Sequence, residues 1–302
     1  MIELHERLSE FSYGYGVTRE VERLLTGVGV RTVPFIPSLL QEKVVGFDVG
    51  FSGRGVPLLL QFKLGQSLTR FVRSDATHAA PILDRPFFRF SINTAEMDGQ
   101  YETLLKAQTD GSEVYYVAPR FADWPHYIRF FEEETVLEHS VMVTPGDIRN
   151  ALVAKGSPDG HHRIVYDGTA AHVCSKATDI PDVRPATVAE SILTRVHAKG
   201  ETLRDTVRRV YAGLENRAAI RREQPPKGAE TQTGDVGSAL RATAMPELEQ
   251  RSPLALTRIE RSHRLEGLRK RSRSEDDAIA AALGLEFWGL GIQMMIAVEL
   301  NE

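Results

Sequence analysis

Residues 44–64 read VVGFDVGFSGRGVPLLLQFKL, and the reading of this stretch decides the fold. Two β-rich runs flank a Gly-rich centre. In the first, Val45, Phe47, Val49 and Phe51 alternate with Val44, Gly46, Asp48 and Gly50. Successive side chains on a strand point to opposite faces, so one face is apolar and the other carries Asp48 between two glycines. In the second, Leu58, Leu60, Phe62 and Leu64 share a face, and Leu59, Gln61 and Lys63 share the other. Arg54-Gly55 between the runs predicts a hairpin. A turn centred there sets Asp48 opposite Gln61. The run Leu58-Leu59-Leu60 is apolar on both faces, which predicts a buried central strand. Asp48, Gln61 and Lys63 then form one polar patch on an apolar hairpin. An unpaired buried charge is costly, so the patch requires a reason. A carboxylate, an amide oxygen and an ammonium about 7 Å along the strand from it make a site for a hard divalent cation and developing negative charge.

An Asp on one strand, followed by a hydrophobic strand ending in Gln61-Phe62-Lys63, resembles the PD-(D/E)xK nuclease superfamily, and Gln at the first of these positions resembles its Mrr-like branch. The resemblance covers roughly residues 15–120. The sequence departs from the family pattern in having no Pro before Asp48 and no acid at position 61. What the resemblance implies is a metal-dependent nuclease that hydrolyses DNA, in bacterial restriction or antiviral defence, with RNA left open as substrate. It further implies catalytic residues Glu20, Asp48, Gln61 and Lys63, with Mg²⁺ or Mn²⁺ on Asp48, Glu20 and Gln61 and the carbonyl of Phe62. Glu20 fits the glutamate that the family often places on the preceding helix. Val17, Val21, Leu24 and Leu25 make a helical stripe with Glu20 at its edge and Glu22 on the far side. A non-catalytic subunit with this fold, binding a partner protein or nucleic acid, is the alternative.

Outward from this stretch the sequence predicts an α/β protein with a mixed sheet, a restriction-endonuclease-like αβββαβ core and a helical C-terminal extension. Tyr13 to Gly16 reads as a turn, with Thr18 capping the Glu20 helix and Gly27-Val28-Gly29 ending it. Strands are expected at 32–36 and 86–92, a helix at 96–108 with Tyr101, Leu104 and Leu105 inward, and strands at 114–117 and 141–143. A helix is read at 124–137. A hairpin is expected around Asp167-Gly168. Its doublet His161-His162 points to opposite faces and so makes a poor metal pair. Residues 1–185 form the expected core, and 186–302 a helical, partly basic region with a linker at 223–245.

The net charge of −4 hides an asymmetry: the balance is −6 over residues 1–190, +8 over 191–273 and −6 over the last 29. Arg269, Lys270, Arg271 and Arg273 are therefore candidates for phosphate contact, the alternative being that they pair with Glu275, Asp276 and Asp277. Ser274 before those three acids predicts a helix start. Residues 278–298 are apolar except for Glu286 and Gln293. Glu286, glycines 284, 289 and 291 and the lack of a basic flank argue against a membrane span. A buried terminal helix, or one that docks on a partner protein, is expected instead. The single Cys174 excludes a disulfide framework. The charged amino terminus carries no signal-peptide core, and a cytoplasmic protein is expected. P-loop, nucleophile-elbow and dinucleotide fingerprints do not occur.

Overall fold

The computed structural model describes residues 8–35, 51–72, 80–157, 159–174, 177–198, 201–223 and 256–300. Asp48 and the expected linker at 223–245, apart from its first residue, lie outside them. Ser9 accepts the backbone N–H of Ser12 (3.0 Å) and opens α1, Glu10–Gly27. The helix runs straight through Tyr13 to Gly16, where a turn was expected. Packing explains the difference: a Cβ on Gly14 would stand 2.6 Å from the Phe62 ring, and one on Gly16 3.1 Å from the Tyr127 hydroxyl. The glycines are contact points, and the helix cap lies before them. Gly29, at φ +80°, turns the chain into β1, Val30–Pro34.

The first sheet has the order β1-β10-β2-β5-β6, with β2 at Gly55–Phe62, β5 at Glu113–Pro119, β6 at Ser140–Val143 and β10 at Ile292–Glu299. Only β2 and β5 pair in parallel, which makes the sheet mixed. The second sheet is antiparallel throughout, in the order β3-β4-β7-β8-β9. Its strands are β3, Gln66–Leu68; β4, Phe87–Asn93; β7, His161–Tyr166; β8, Ala171–Val173; and β9, Thr178–Ile180. The strand expected at 86–92 thus forms, but in a separate sheet. The Asp167-Gly168 hairpin forms as expected between β7 and β8.

The helices are α2, Gln100–Thr109; α3, Trp124–Glu133; α4, Pro145–Ala154; α5, Pro185–His197; α6, Leu203–Glu223; α7, Arg258–Arg269; and α8, Glu275–Gly289. One face of the first sheet packs Val56, Leu58 and Leu60 against Val17 and Val21 of α1, Phe130 of α3 and Ile192 of α5. The opposite face packs Leu59, Tyr116 and Met294 against Leu104 of α2, Val207 of α6, Ala281 of α8 and the inward Phe90, Ile164 and Tyr166 of the second sheet.

One expectation is overturned by β10. Gln61 is paired with Ile292 on one edge and Tyr116 on the other, so the expected Asp48–Gln61 ladder position is occupied. The apolar tail is a helix followed by a strand, broken at Leu290 and Gly291 (φ +73°); its helical part, α8, is buried in this chain, as the first of the two expectations for it had it, and its last part is the strand β10. A strand buried on both faces belongs at the middle of a sheet, and residues 294–297 are all buried. The region after residue 185 is helical in its described part up to Gly289, as expected, and then supplies a strand of the first sheet. No helix among the described residues is long and apolar enough to cross a membrane.

Candidate active site at the carboxyl end of β2

At the end of β2 the alternation expected from the sequence is present: Leu58 and Leu60 face α1, and Gln61 looks to the opposite side. Gln61 is buried. Its Nε2 donates to the carbonyl of Phe62 (2.9 Å), and its Oε1, equally buried, has no hydrogen-bond partner. A buried acceptor left without a donor costs about 1–3 kcal/mol. The Lys63 backbone N–H donates to Val117 O (3.0 Å), which carries the parallel pairing one residue beyond the strand. The ammonium donates to Gln100 Oε1 (2.8 Å), and Gln100 Nε2 donates to Leu290 O (2.7 Å). Gln100 opens α2, so the crossover from β2 to β5 brings the amide to the lysine, and the turn before β10 holds the amide. Burial holds the Lys63 ammonium below its ordinary pKa, and the charge of Glu10 opposes that shift.

Lys63 lines a hollow of about 310 Å³ with Ser91 and Asn93 of β4, Gln100 and Tyr101 of α2, Tyr116 of β5 and His161 of β7. Among the described residues no carboxylate lines it. Outside the strands that meet in the second sheet, no local signal in the sequence marks Ser91, Asn93 and Gln100. His161 was visible in the sequence only as half of a doublet, and it is exposed while His162 is buried, as strand alternation requires.

Glu20 is inward and Glu22 outward on α1, in agreement with the helical stripe. Its destination differs. Its two carboxylate oxygens accept the backbone N–H groups of Val136 (2.9 Å) and Leu137 (2.7 Å), tying α1 to the segment before β6. Burial raises its pKa, and these two bonds counter the shift. Glu20 lines a hollow with Arg23, Leu24 and Glu138 that includes neither Gln61 nor Lys63. Tested against Mg²⁺ or Mn²⁺, the expected ligands therefore divide. The orphaned Gln61 Oε1 fits a hard cation, whereas Glu20 is committed to backbone donors and does not. Among the described residues no group of three His, Cys, Asp or Glu side chains is placed to hold a metal.

Of the basic candidates, one makes the pair weighed as the alternative. Arg269 forms a forked pair with Glu275 (2.8 and 2.6 Å), and Lys270 lies 3.4 Å from Glu266. Asp276 takes Arg204 and Arg208 of α6. Arg271 and Arg273 are exposed. Comparison with protein-family models, with curated proteins and with solved structures finds no match for this chain.

Proposed function

We propose that this chain is a metal-dependent nuclease that hydrolyses DNA phosphodiester bonds, with its site at the carboxyl end of β2. The observation that carries the reading is an ammonium, Lys63, held by the Gln100 amide at the wall of a hollow lined by Ser91, Asn93, Tyr101, Tyr116 and His161. Such a hollow receives an anion, and a phosphodiester is the anion that the resemblance of Gln61-Phe62-Lys63 points to. The arrangement in space also supports it. Across the first sheet β1, β10, β2 and β5 are neighbours, β10 antiparallel to both β1 and β2 and β5 parallel to β2, so β10, the last strand of the chain, stands where the second strand of an αβββαβ core would be. Asp48 and Gln61 would hold Mg²⁺ or Mn²⁺, which when bound supplies charge to polarise the scissile phosphate. Lys63 stabilises the charge that grows on the phosphoryl oxygens, and Gln100 fixes the ammonium in place. Restriction or another defence against foreign DNA is the biological role this reading implies.

Mn²⁺-dependent cleavage of plasmid DNA tests it. Asp48→Ala and Lys63→Ala should each abolish cleavage with the unfolding transition unchanged, and Gln61→Glu should keep or strengthen metal affinity. Full activity in either alanine variant sinks the site. A second reading, a non-catalytic nucleic-acid-binding subunit of the same fold, is favoured by the commitment of Glu20 to Val136 and Leu137. DNA binding without cleavage by the parent protein at any Mn²⁺ concentration would select it.

A further inference from the structure

The outward face of the second sheet extends beyond the three residues, Ser91, Asn93 and His161, that line the Lys63 hollow. Strand register puts its side chains in rows, because residues directly opposite on antiparallel strands share a face. One row is Gln66, Arg89, Val165, His172 and Asp179, running across all five strands. The next pairs Ser91 with Arg163 and continues to Cys174, whose N–H donates to Arg163 O (2.7 Å). The third pairs Asn93 with His161. The opposite face of the same strands, with Phe88, Phe90, Ile92 and Ile164, belongs to the core. Arg163, Ser91 and His161 are exposed, Arg89 is half-buried with its Nε donating to Gln66 Oε1 (2.9 Å), and Val165 and His172 are buried, so the accessible part of the face is the edge with Ser91, Arg163 and His161. In these rows Asp179 is the one carboxylate, at the far edge, where it meets His172 Nδ1 (2.8 Å).

We propose that this outward face docks the sugar–phosphate backbone of duplex DNA and leads it to Lys63. The face and the hollow are continuous, since Ser91, Asn93 and His161 belong to both. The charge is complementary: the exposed Arg163 guanidinium, the half-buried Arg89 guanidinium, the exposed His161 and neutral polar groups face a polymer with one negative charge per about 1.7 Å of duplex axis. Ser and Asn side chains are ordinary phosphate donors beside arginine. Sequence-independent single-strand binding uses stacking platforms, and these rows hold no Phe, Tyr or Trp, which favours the duplex. Arg269 and Lys270, two of the sequence's own candidates, stand at the end of α7 and not on this sheet, and meet Glu275 and Glu266. This proposal rests on the nuclease reading for the position of Lys63 relative to the DNA.

The test is fluorescence anisotropy of a labelled 24-base-pair duplex with the full chain in EDTA, so that binding is read without cleavage. The measurement is repeated from 50 to 300 mM NaCl. Arg163→Ala should flatten the log–log salt slope by about one unit, and Arg163→Ala with Arg89→Ala by about two, at roughly 0.9 per phosphate released. Arg163→Lys, which keeps a charge where the geometry needs only a phosphate contact, should keep the parent slope. Arg31→Ala, an exposed charge on β1 of the other sheet, should change nothing. An unchanged slope in the double variant overturns the proposal even if the parent cleaves DNA. A parent that binds a single-stranded RNA of equal length and not the duplex overturns it too. Loss of binding in the arginine variants of a parent that never cleaves would uphold the docking face and sink only the nuclease reading.

Discussion

Arg261 and Glu286 show what one buried pair does in this chain. The glutamate is the lone acid inside the apolar tail, and it looks out of place until α7 packs on α8. Their side chains are then 2 % and 1 % exposed, with Arg261 Nε donating to Glu286 Oε2 at 2.8 Å. The remaining guanidinium N–H groups reach the carbonyls of Leu214 and Leu256 (2.9 and 3.1 Å), so α6 and the start of α7 are stitched to α8. Removing one partner strands a buried charge, which costs about 3–5 kcal/mol. Glu286→Ala should therefore lower the urea-unfolding free energy by that amount. Arg261→Met combined with Glu286→Leu should recover most of it, because two apolar side chains leave no charge behind. A double variant as unstable as the single one would show that the pair itself stabilises. The lone thiol is a quieter case: burial pushes Cys174 up to about 12, which leaves it a poor nucleophile.

At the scale of elements, α1 shows close approach overriding local propensity. Glycine in a helix interior costs about 1 kcal/mol relative to alanine, and Gly14 and Gly16 both lie there. They allow α1 to lie against β2 and α3, with Tyr13 edge-on to Phe62 at 6.0 Å and its hydroxyl donating to Ser140 Oγ (2.7 Å). Gly14→Ala brings a methyl to 2.6 Å from the Phe62 ring, and overpacking of this kind costs about 1–3 kcal/mol. Thermal unfolding should show a net loss on the order of 1 kcal/mol after the helix-propensity gain. Gly27→Ala at the open end of the same helix meets nothing within 4 Å and should be neutral or stabilising by up to about 1 kcal/mol. Equal effects at the two glycines would contradict the close-contact account.

At the scale of the whole molecule, β10 decides what counts as one folding unit. It stands between β1 and β2, and the register Val30↔Glu299 and Ile292↔Gln61 joins the two ends of the chain in one sheet. Removing residues 274–302 would leave two unpaired edges in the centre of that sheet, and the apolar face of α6 would lose α8. The fragment 1–273 should show no cooperative unfolding transition by circular dichroism and should aggregate, as open apolar edges do. A soluble, cooperatively unfolding 1–185 fragment would restore the separate core expected from composition.

The sequence by itself determined the pieces whose information is local. β4, β5 and β6 follow from short apolar or alternating runs, the β7–β8 hairpin from Asp167-Gly168, and the start of α8 from Ser274 with three acids in its first turn. It also determined that Gln61 and Lys63 share one side of a buried strand, because strand alternation has a period of two. Tertiary structure alone decided the partners. Whether Gln61 met Asp48 across a short hairpin or Ile292 from the far end of the chain depended on which strand buried more apolar surface. The cost of closing a longer loop grows only logarithmically with its length. A distant strand that buries Met294, Met295, Ile296 and Ala297 can therefore take the edge of β2 despite the length of chain between them. For the same reason Gln100 reached Lys63 and Glu20 was drawn to Val136 and Leu137, each through packing that no window of the sequence contains.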